Sequence, residues 1–273
     1  MNELIKSGDQ MPVLSDDLLE MGGMGSENVT SKNIVIPRLV ILQALSPQVN
    51  KKKAEFIEGS EVSDFCNVAT GDLYKEAVYV IPCYFITNYL EWGKNRSGLA
   101  NNFGDNDSIL QKCVKNEKGQ NILPSGNEVQ ETAQWYCLLS PNPTGPWERV
   151  FFPLKQTGLK HSRKWLTLIQ AERVMIKDKA GKEQAWKPPL FWRIWKLSIV
   201  GESNDQGDWY TFKPEKKESV LELDPEQKLL NMCKSFYSDL KTNKVRGDIE
   251  SSQSDYQGNG KHTGNVADAD IPF

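Results

Sequence analysis

The chain has 273 residues, with 33 Lys and Arg against 36 Asp and Glu, a formal net charge of −3 and five cysteines. No apolar run approaches the ~20 residues of a membrane-spanning helix, and no signal-peptide core follows Met1, so neither membrane residence nor export is expected. The scattered cysteines (66, 83, 113, 137 and 233) then read as reduced cytoplasmic thiols rather than a disulfide framework.

The charge is unevenly distributed. Residues 1–31 carry six carboxylates against Lys6, and residues 246–273 carry five against Arg246 and Lys261, which leaves 32–245 at +5. A basic body between two acidic ends points to a polyanionic partner for the body.

In chain order, residues 1–31 are expected to be flexible. The run Met21-Gly22-Gly23-Met24-Gly25 is a linker and not a phosphate loop, because no strand precedes it and no Lys-Ser/Thr follows. Residues 34–43 are apolar enough for a strand, or for a short helix after Pro37. Lys51, Lys52 and Lys53 sit in a polar connection. Residues 76–92 are rich in Val, Ile, Tyr and Phe, which predicts a long strand or a bent pair; Pro82 within it predicts an edge or a bulge. Residues 97–131 read as an inserted polar loop.

Strands are predicted at 134–139 and 147–152, separated by a turn cluster of Pro141, Pro143, Gly145 and Pro146. Residues 157–171 have helical periodicity, with Leu159, Trp165, Leu166 and Ile169 on one stripe and Lys160, Arg163 and Lys164 opposite. Further strands are predicted at 190–200 and 209–212, with a turn over 204–207. A last helix is predicted to start with Asp224 as N-cap, Pro225 in the first turn and Gln227 closing a capping box. Its buried stripe is Leu229, Cys233, Phe236 and Leu240. From Gly247 to Asn265 no apolar period survives, as in a disordered tether. The expected class is mainly β with α-helices. The expected architecture is an OB-fold-like barrel with insertions over 32–245, between disordered acidic termini at 1–31 and 246–273.

The densest chemical signal lies in 149–196. Twelve Lys and Arg face three acids there, interleaved with Phe151, Phe152, Trp165, Trp186, Phe191, Trp192 and Trp195. Single-stranded nucleic acid is held by this mixture, because cations track phosphates and flat rings stack on unpaired bases. Strand alternation over 190–196 would put Phe191, Arg193 and Trp195 on a binding face and Leu190, Trp192 and Ile194 in the core. A bulge near 196–197 would restore parity beyond it. Trp92, Lys94 and Arg96 share a face if extended. Tyr136 lies opposite Trp135 and Cys137 and joins the candidates. Lys160, Arg163 and Lys164 form a phosphate patch. The competing reading is barrel core for each aromatic, and a solvated face for each cation.

Catalytic signatures are absent. The two histidines are 161 and 262. Cys113, Cys137 and His161 lack the paired spacing of a zinc site, and Asp105 and Asp107 open no complete calcium loop. No phosphate loop, dinucleotide fingerprint or triad signature is present. Neither catalytic residues nor a metal or other cofactor is expected.

The last six residues, Asp268-Ala269-Asp270-Ile271-Pro272-Phe273, closely resemble the C-terminal tip of bacterial single-stranded DNA-binding proteins. That tip typically ends Asp-Asp-Asp-Ile-Pro-Phe; here one Asp is Ala. In that family the tip docks into a basic-rimmed apolar pocket on replication and repair enzymes. The resemblance implies that Asp268, Asp270, Ile271, Pro272 and Phe273 recruit a polymerase, helicase, primase or nuclease. The basic, Trp-rich body and the segment from Ile36 to Pro47 are similar to a tailed-bacteriophage single-stranded DNA-binding protein of the replication module. The function this implies is non-specific coating of single-stranded DNA in the cytoplasm of a bacterial host. An annealing or recombination mediator is the alternative, and a metal-dependent nuclease a more remote one.

Overall fold

The computed structural model describes residues 35–242 except 179 and 206, together with residues 15, 17, 21 and 24. Met1–Ile34 and Val35–Phe273 are separate units, and the architecture below belongs to the second. The predicted termini therefore lie almost wholly outside the described residues.

The body is mainly β, built around a sheet that curls into a half-barrel. Three short strands, β1 (Leu39–Ile41), β2 (Phe65–Asn67) and β3 (Leu73–Tyr74), form a small antiparallel sheet. The main sheet starts with β4 (Ala77–Trp92). An excursion then makes β5 (Leu99–Asn102), β6 (Val114–Lys115) and β7 (Asn121–Ile122), so the polar stretch expected as a loop holds short strands. β8 (Glu128–Ser140) returns antiparallel along β4 for nearly its whole length, followed by β9 (Glu148–Lys155). Helix α1 (Thr157–Gln170) leads to a separate hairpin of β10 (Val174–Lys177) and β11 (Glu183–Trp186). β12 (Arg193–Asn204) and β13 (Gly207–Ser219) complete the main sheet, before α2 (Val220–Leu223) and α3 (Lys228–Lys241).

The β4–β8 ribbon is the spine. At one end β12 and β13 extend it beyond β4, and β9 flanks β8; at the other, β5 lies beside β4, and β7 and β6 beside β8. Both faces of this spine are buried. Ala133, Trp135, Cys137 and Leu139 of β8 face one core with Trp165 and Ile169 of α1. Tyr136 and Leu138 face a second core with Cys233, Phe236 and Leu240 of α3. Strands covered on both sides read as continuous apolar runs rather than alternating ones.

Pro82 marks a bulge, as one of the two predicted alternatives. The β4–β8 register shifts between Pro82 and Tyr84, where proline offers no N–H to the ladder. The extra residue exchanges the faces. Val78 and Val80 belong to the α1 side before the bulge, but Phe85 does so after it, while Tyr84 and Ile86 turn to the α3 side.

The stripe predicted for 157–171 is the buried face of α1. Trp165 is fully buried, and its ring stacks on Trp135 with centroids 4.2 Å apart. Edge contacts reach Trp195 at 6.2 Å and Phe212 at 5.7 Å. The Trp135 indole N–H donates to Ser162 Oγ at 2.8 Å, so this polar atom is satisfied inside the core.

The start of the last helix differs from expectation. Ser219 and Glu222 form the capping box, and it opens the one-turn α2. Asp224 then ends that turn, its carboxylate accepting from the Leu229 amide. Gln227, at φ 62°, redirects the chain into α3. The predicted stripe of Leu229, Cys233, Phe236 and Leu240 is buried.

Replacing Trp165 by Ala should destabilise the fold by ~3–5 kcal/mol, the range for truncating a core aromatic. Lys164→Ala, one residue away on the solvent side of α1, should stay within about 0.5 kcal/mol. Urea unfolding of the two variants checks the contrast.

Candidate nucleic-acid interface

Burial redistributes the predicted aromatic contacts. Trp92 is 3% exposed and lines a small cavity of about 30 Å³ with Arg38, Gln130 and Thr132. Tyr136 is 7% exposed and packs on Phe151 at 5.0 Å. Trp195 is 2% exposed and sits against Trp165. None of these rings offers a free face to a base, which corrects their assignment to a binding surface. For Tyr136 and Trp195 the cause is the same: a core covers each face of the sheet, so alternation separates two cores rather than core from solvent.

Trp195, expected on the binding face, lies in a core, and Trp192, expected in the core, is only half-buried. Residues 190–192 form a 3-10 turn instead of a strand start, and the β12–β13 register shifts between Arg193 and Trp195 rather than near 196–197. Ile194 and Trp195 consequently enter different cores. Trp192 is half-buried, edge-on to Trp186 at 5.2 Å and 85°; its indole Nε1 has no hydrogen-bond partner among the described residues. Phe191 is half-buried and lies 6.3 Å from Tyr237, with the second core.

The predicted cations fare differently. Lys94 is exposed, but residues 94–96 form a 3-10 turn with Asn95 and Arg96 at φ 58° and 57°; the extended face shared with Trp92 does not form. Arg96 is held bidentate by Glu128 at 3.0–3.2 Å. Lys160, Arg163 and Lys164 do lie on the solvent side of α1. Lys160 reaches Glu202 at 3.6 Å, and Arg163 grips Glu131 at 2.8 and 2.9 Å. Lys164 has no ion pair among the described residues. The same Glu202 oxygen lies 3.2 Å from His161 Nε2.

Arg193 does not face solvent as a free cation. Its guanidinium holds Glu172 at 2.6 and 2.8 Å and donates to the Lys217 carbonyl at 2.9 Å, while Lys216 approaches Glu172 at 3.0 Å. Burial pushes the Glu172 carboxyl up, but hydrogen bonds from Arg193 and Lys216 outweigh it and hold it below its ordinary value of 4.5.

The cations of 149–196 without an ion pair among the described residues are Lys164, Arg173, Lys182, Lys187 and Lys196. Three of them, Arg173, Lys182 and Lys187, lie on or directly beside the β10–β11 hairpin and are exposed. The hairpin also carries Trp186 and Met175, the latter 65% exposed, and Trp186 meets Trp192. Residues 174–186 were not expected to form a hairpin, because Lys, Glu and Gln dilute its β signal. The cue available was the turn: Asp178 accepts from the amides of Ala180 and Lys182, and Gly181 takes φ 79°, as Asx and Gly turn residues do.

A second opening lies between the chain after β1, the β9–α1 junction and the start of β13. This groove has a volume of about 850 Å³. Its lining includes Leu45, Lys53, Lys155, Thr157, Trp209 and Tyr210. The Gln43 side-chain amide pairs with the Tyr210 backbone in both directions, each bond 2.9 Å, and fastens β13 to the segment after β1. Gln156, also in the lining, has φ 50° and ψ −116°, a conformation that is strained for a residue with a Cβ by on the order of 1–3 kcal/mol.

Among the described residues, no three His, Cys, Asp or Glu side chains gather as a metal ion would need, and no helix is long and apolar enough to cross a membrane. Asp268, Asp270, Ile271, Pro272 and Phe273 lie outside the described residues.

A family model described as Pam3 phage gp34-like protein matches residues 6–246. The chain belongs to that family. The match takes in the whole described body and both openings. No curated protein matches the chain, and no solved structure does.

The Glu172 ion cluster makes a pH prediction. A carboxyl held below its ordinary value contributes stability that is full above about 4.5 and is lost as pH falls through the lowered value. Glu172→Gln should therefore be less stable than the native chain at pH 7, and the gap should close at pH 3. Urea midpoints at the two pH values measure it.

Proposed function

We propose that this protein binds single-stranded DNA with little sequence preference as part of phage DNA replication, and that its C-terminal tip recruits replication or recombination enzymes. The observation that carries the reading is the β10–β11 hairpin. It joins exposed Arg173, Lys182 and Lys187 to the half-buried Trp186–Trp192 pair. A strand laid along it has cations for phosphates and ring surface for bases, the two contributions that non-specific single-strand binding uses. The +5 balance of residues 32–245 supports the same partner, and the family, described for a phage protein, suits the phage setting. The tip part of the proposal rests on the resemblance of residues 268–273 to bacterial single-stranded DNA-binding proteins.

The mechanism is stoichiometric. The body holds a strand extended and so opposes base pairing within it. The tip is chemically separate. Phe273 supplies an apolar anchor, while Asp270 and the terminal carboxylate suit a basic pocket rim.

Fluorescence anisotropy with an oligo-dT strand tests the body. Binding should exceed that to duplex of equal length. If ~4–6 phosphates are neutralised, log affinity should fall against log salt with a slope of roughly −3 to −4. Trp186→Ala or Trp192→Ala should weaken binding by ~1–3 kcal/mol. Equal affinity for duplex, or a flat salt response, sinks the reading. For the tip, a host-lysate pull-down compares the intact chain with Phe273→Ala. The variant should keep its DNA affinity and lose the replication enzyme; identical partners for both would remove the recruiting role.

A further inference from the structure

The groove between Leu45 and Trp209 differs in kind from the hairpin surface. It is concave, and its roughly 850 Å³ lies within the roughly 300–1,000 Å³ of small-molecule sites. Its apolar content is placed where water reaches it. Leu45 is 86% exposed and Tyr210 is exposed. The half-buried indole of Trp209 lines the groove with them.

Polar groups converge on the same space. Lys53 and Lys155 both line it, and exposed Lys51 and Lys52 precede Lys53 on the same loop. Asp208 is the acid in the lining, so the local balance favours an anion. Thr157 and Asn50 add hydroxyl and amide groups. The walls are fixed in advance, because the Gln43 amide holds the Tyr210 backbone at both its N–H and its carbonyl. A ligand suited to this lining is flat and aromatic at one end and carries negative charge at the other. An unstacked nucleotide has both properties.

We infer that this groove takes one or two unstacked nucleotides of a bound single strand, with a base against Trp209 and Leu45 and phosphate at Lys53 and Lys155. The inference rests on the single-strand reading above, and it adds a defined base-accepting subsite apart from the β10–β11 hairpin. Preorganised walls make it selective for unpaired bases, since a base within a duplex cannot leave its stack without an added unpairing penalty.

The test uses the full-length chain and an oligo-dT strand bearing 5-iododeoxyuridine, with ultraviolet cross-linking, peptide mapping and anisotropy titration. Cross-links are expected in the peptides holding Leu45 and Trp209. Trp209→Ala should weaken binding roughly ten- to a hundredfold, the range of one lost base stack, and Trp209→Phe should retain most of it. Lys53→Glu should weaken binding and lower the magnitude of the salt slope. Because Trp209→Ala could disturb β13, circular dichroism melts accompany each variant. If that variant unfolds, Trp209→Phe and Lys53→Glu decide with the cross-link map. Strong binding that is unchanged by Lys53→Glu and Trp209→Ala, with cross-links confined to residues 173–192, overturns the groove and leaves the single-strand reading standing. Failure of the native chain to bind oligo-dT overturns both.

Discussion

The stack of Trp165 on Trp135 ties helix α1 to the centre of the sheet. Trp135 belongs to β8, the strand that pairs with β4, β7 and β9, so whatever covers β8 fixes the shape of the whole body. On one face the cover is α1, through Trp165 and Ile169; on the other it is α3, through Cys233 and Phe236. Two cores share one sheet, each closed by a single amphipathic helix. The arrangement commits the central strands to apolar side chains on both sides, and polar function must lie at the margins.

That constraint explains where candidate chemistry is found. Trp135, Trp165 and Trp195 are consumed by the α1 core, and Tyr136 and Phe151 by the α3 core. Arg149, Arg163 and Arg193 meet Asp239, Glu131 and Glu172, so a basic count read along the sequence overstates the charge offered to a ligand. The partly buried Arg193–Glu172–Lys216 group turns two cations toward one carboxylate rather than toward a ligand. Among the described residues, aromatic side chains reach water beside Lys or Arg at the hairpin around Trp186 and in the groove around Trp209. Both are built from segments hung on the spine, where a strand of nucleic acid could approach without opening the cores.

The helices were legible because each has one buried face. Leu159, Trp165 and Ile169 in α1, and Leu229, Phe236 and Leu240 in α3, recur at helical spacing, and no second packing surface blurs the pattern. Pro82 announced its bulge for a covalent reason, its missing N–H. The binding face was misread from the same alternation rule that works for one-sided sheets. At Trp195 and Tyr136 alternation predicts an outward side chain opposite a core position, whereas the opposite side is another core. Arg193 invited the error, since an Arg between aromatics looks solvent-facing until Glu172 is seen beside it. The groove escaped because its lining comes from around residues 45, 155 and 209, which no local pattern links.

A separation of body from tip follows from charge as much as from sequence resemblance. The family match ends at residue 246, close to where the composition turns from basic to acidic. Joining +5 and −3 segments in one chain makes their mutual attraction intramolecular, hence independent of protein concentration but weakened as salt rises. A polyanion entering the body competes with that attraction. Phe273 and Ile271, the apolar part of the tip, gain nothing from an exposed cationic surface, and the proposed recruiting role would seat them in an apolar pocket of a partner protein. Charge and apolar surface in the same six residues thus favour different surroundings. In the proposed mechanism, a strand occupying the body leaves the tip for that pocket without any change in the two cores.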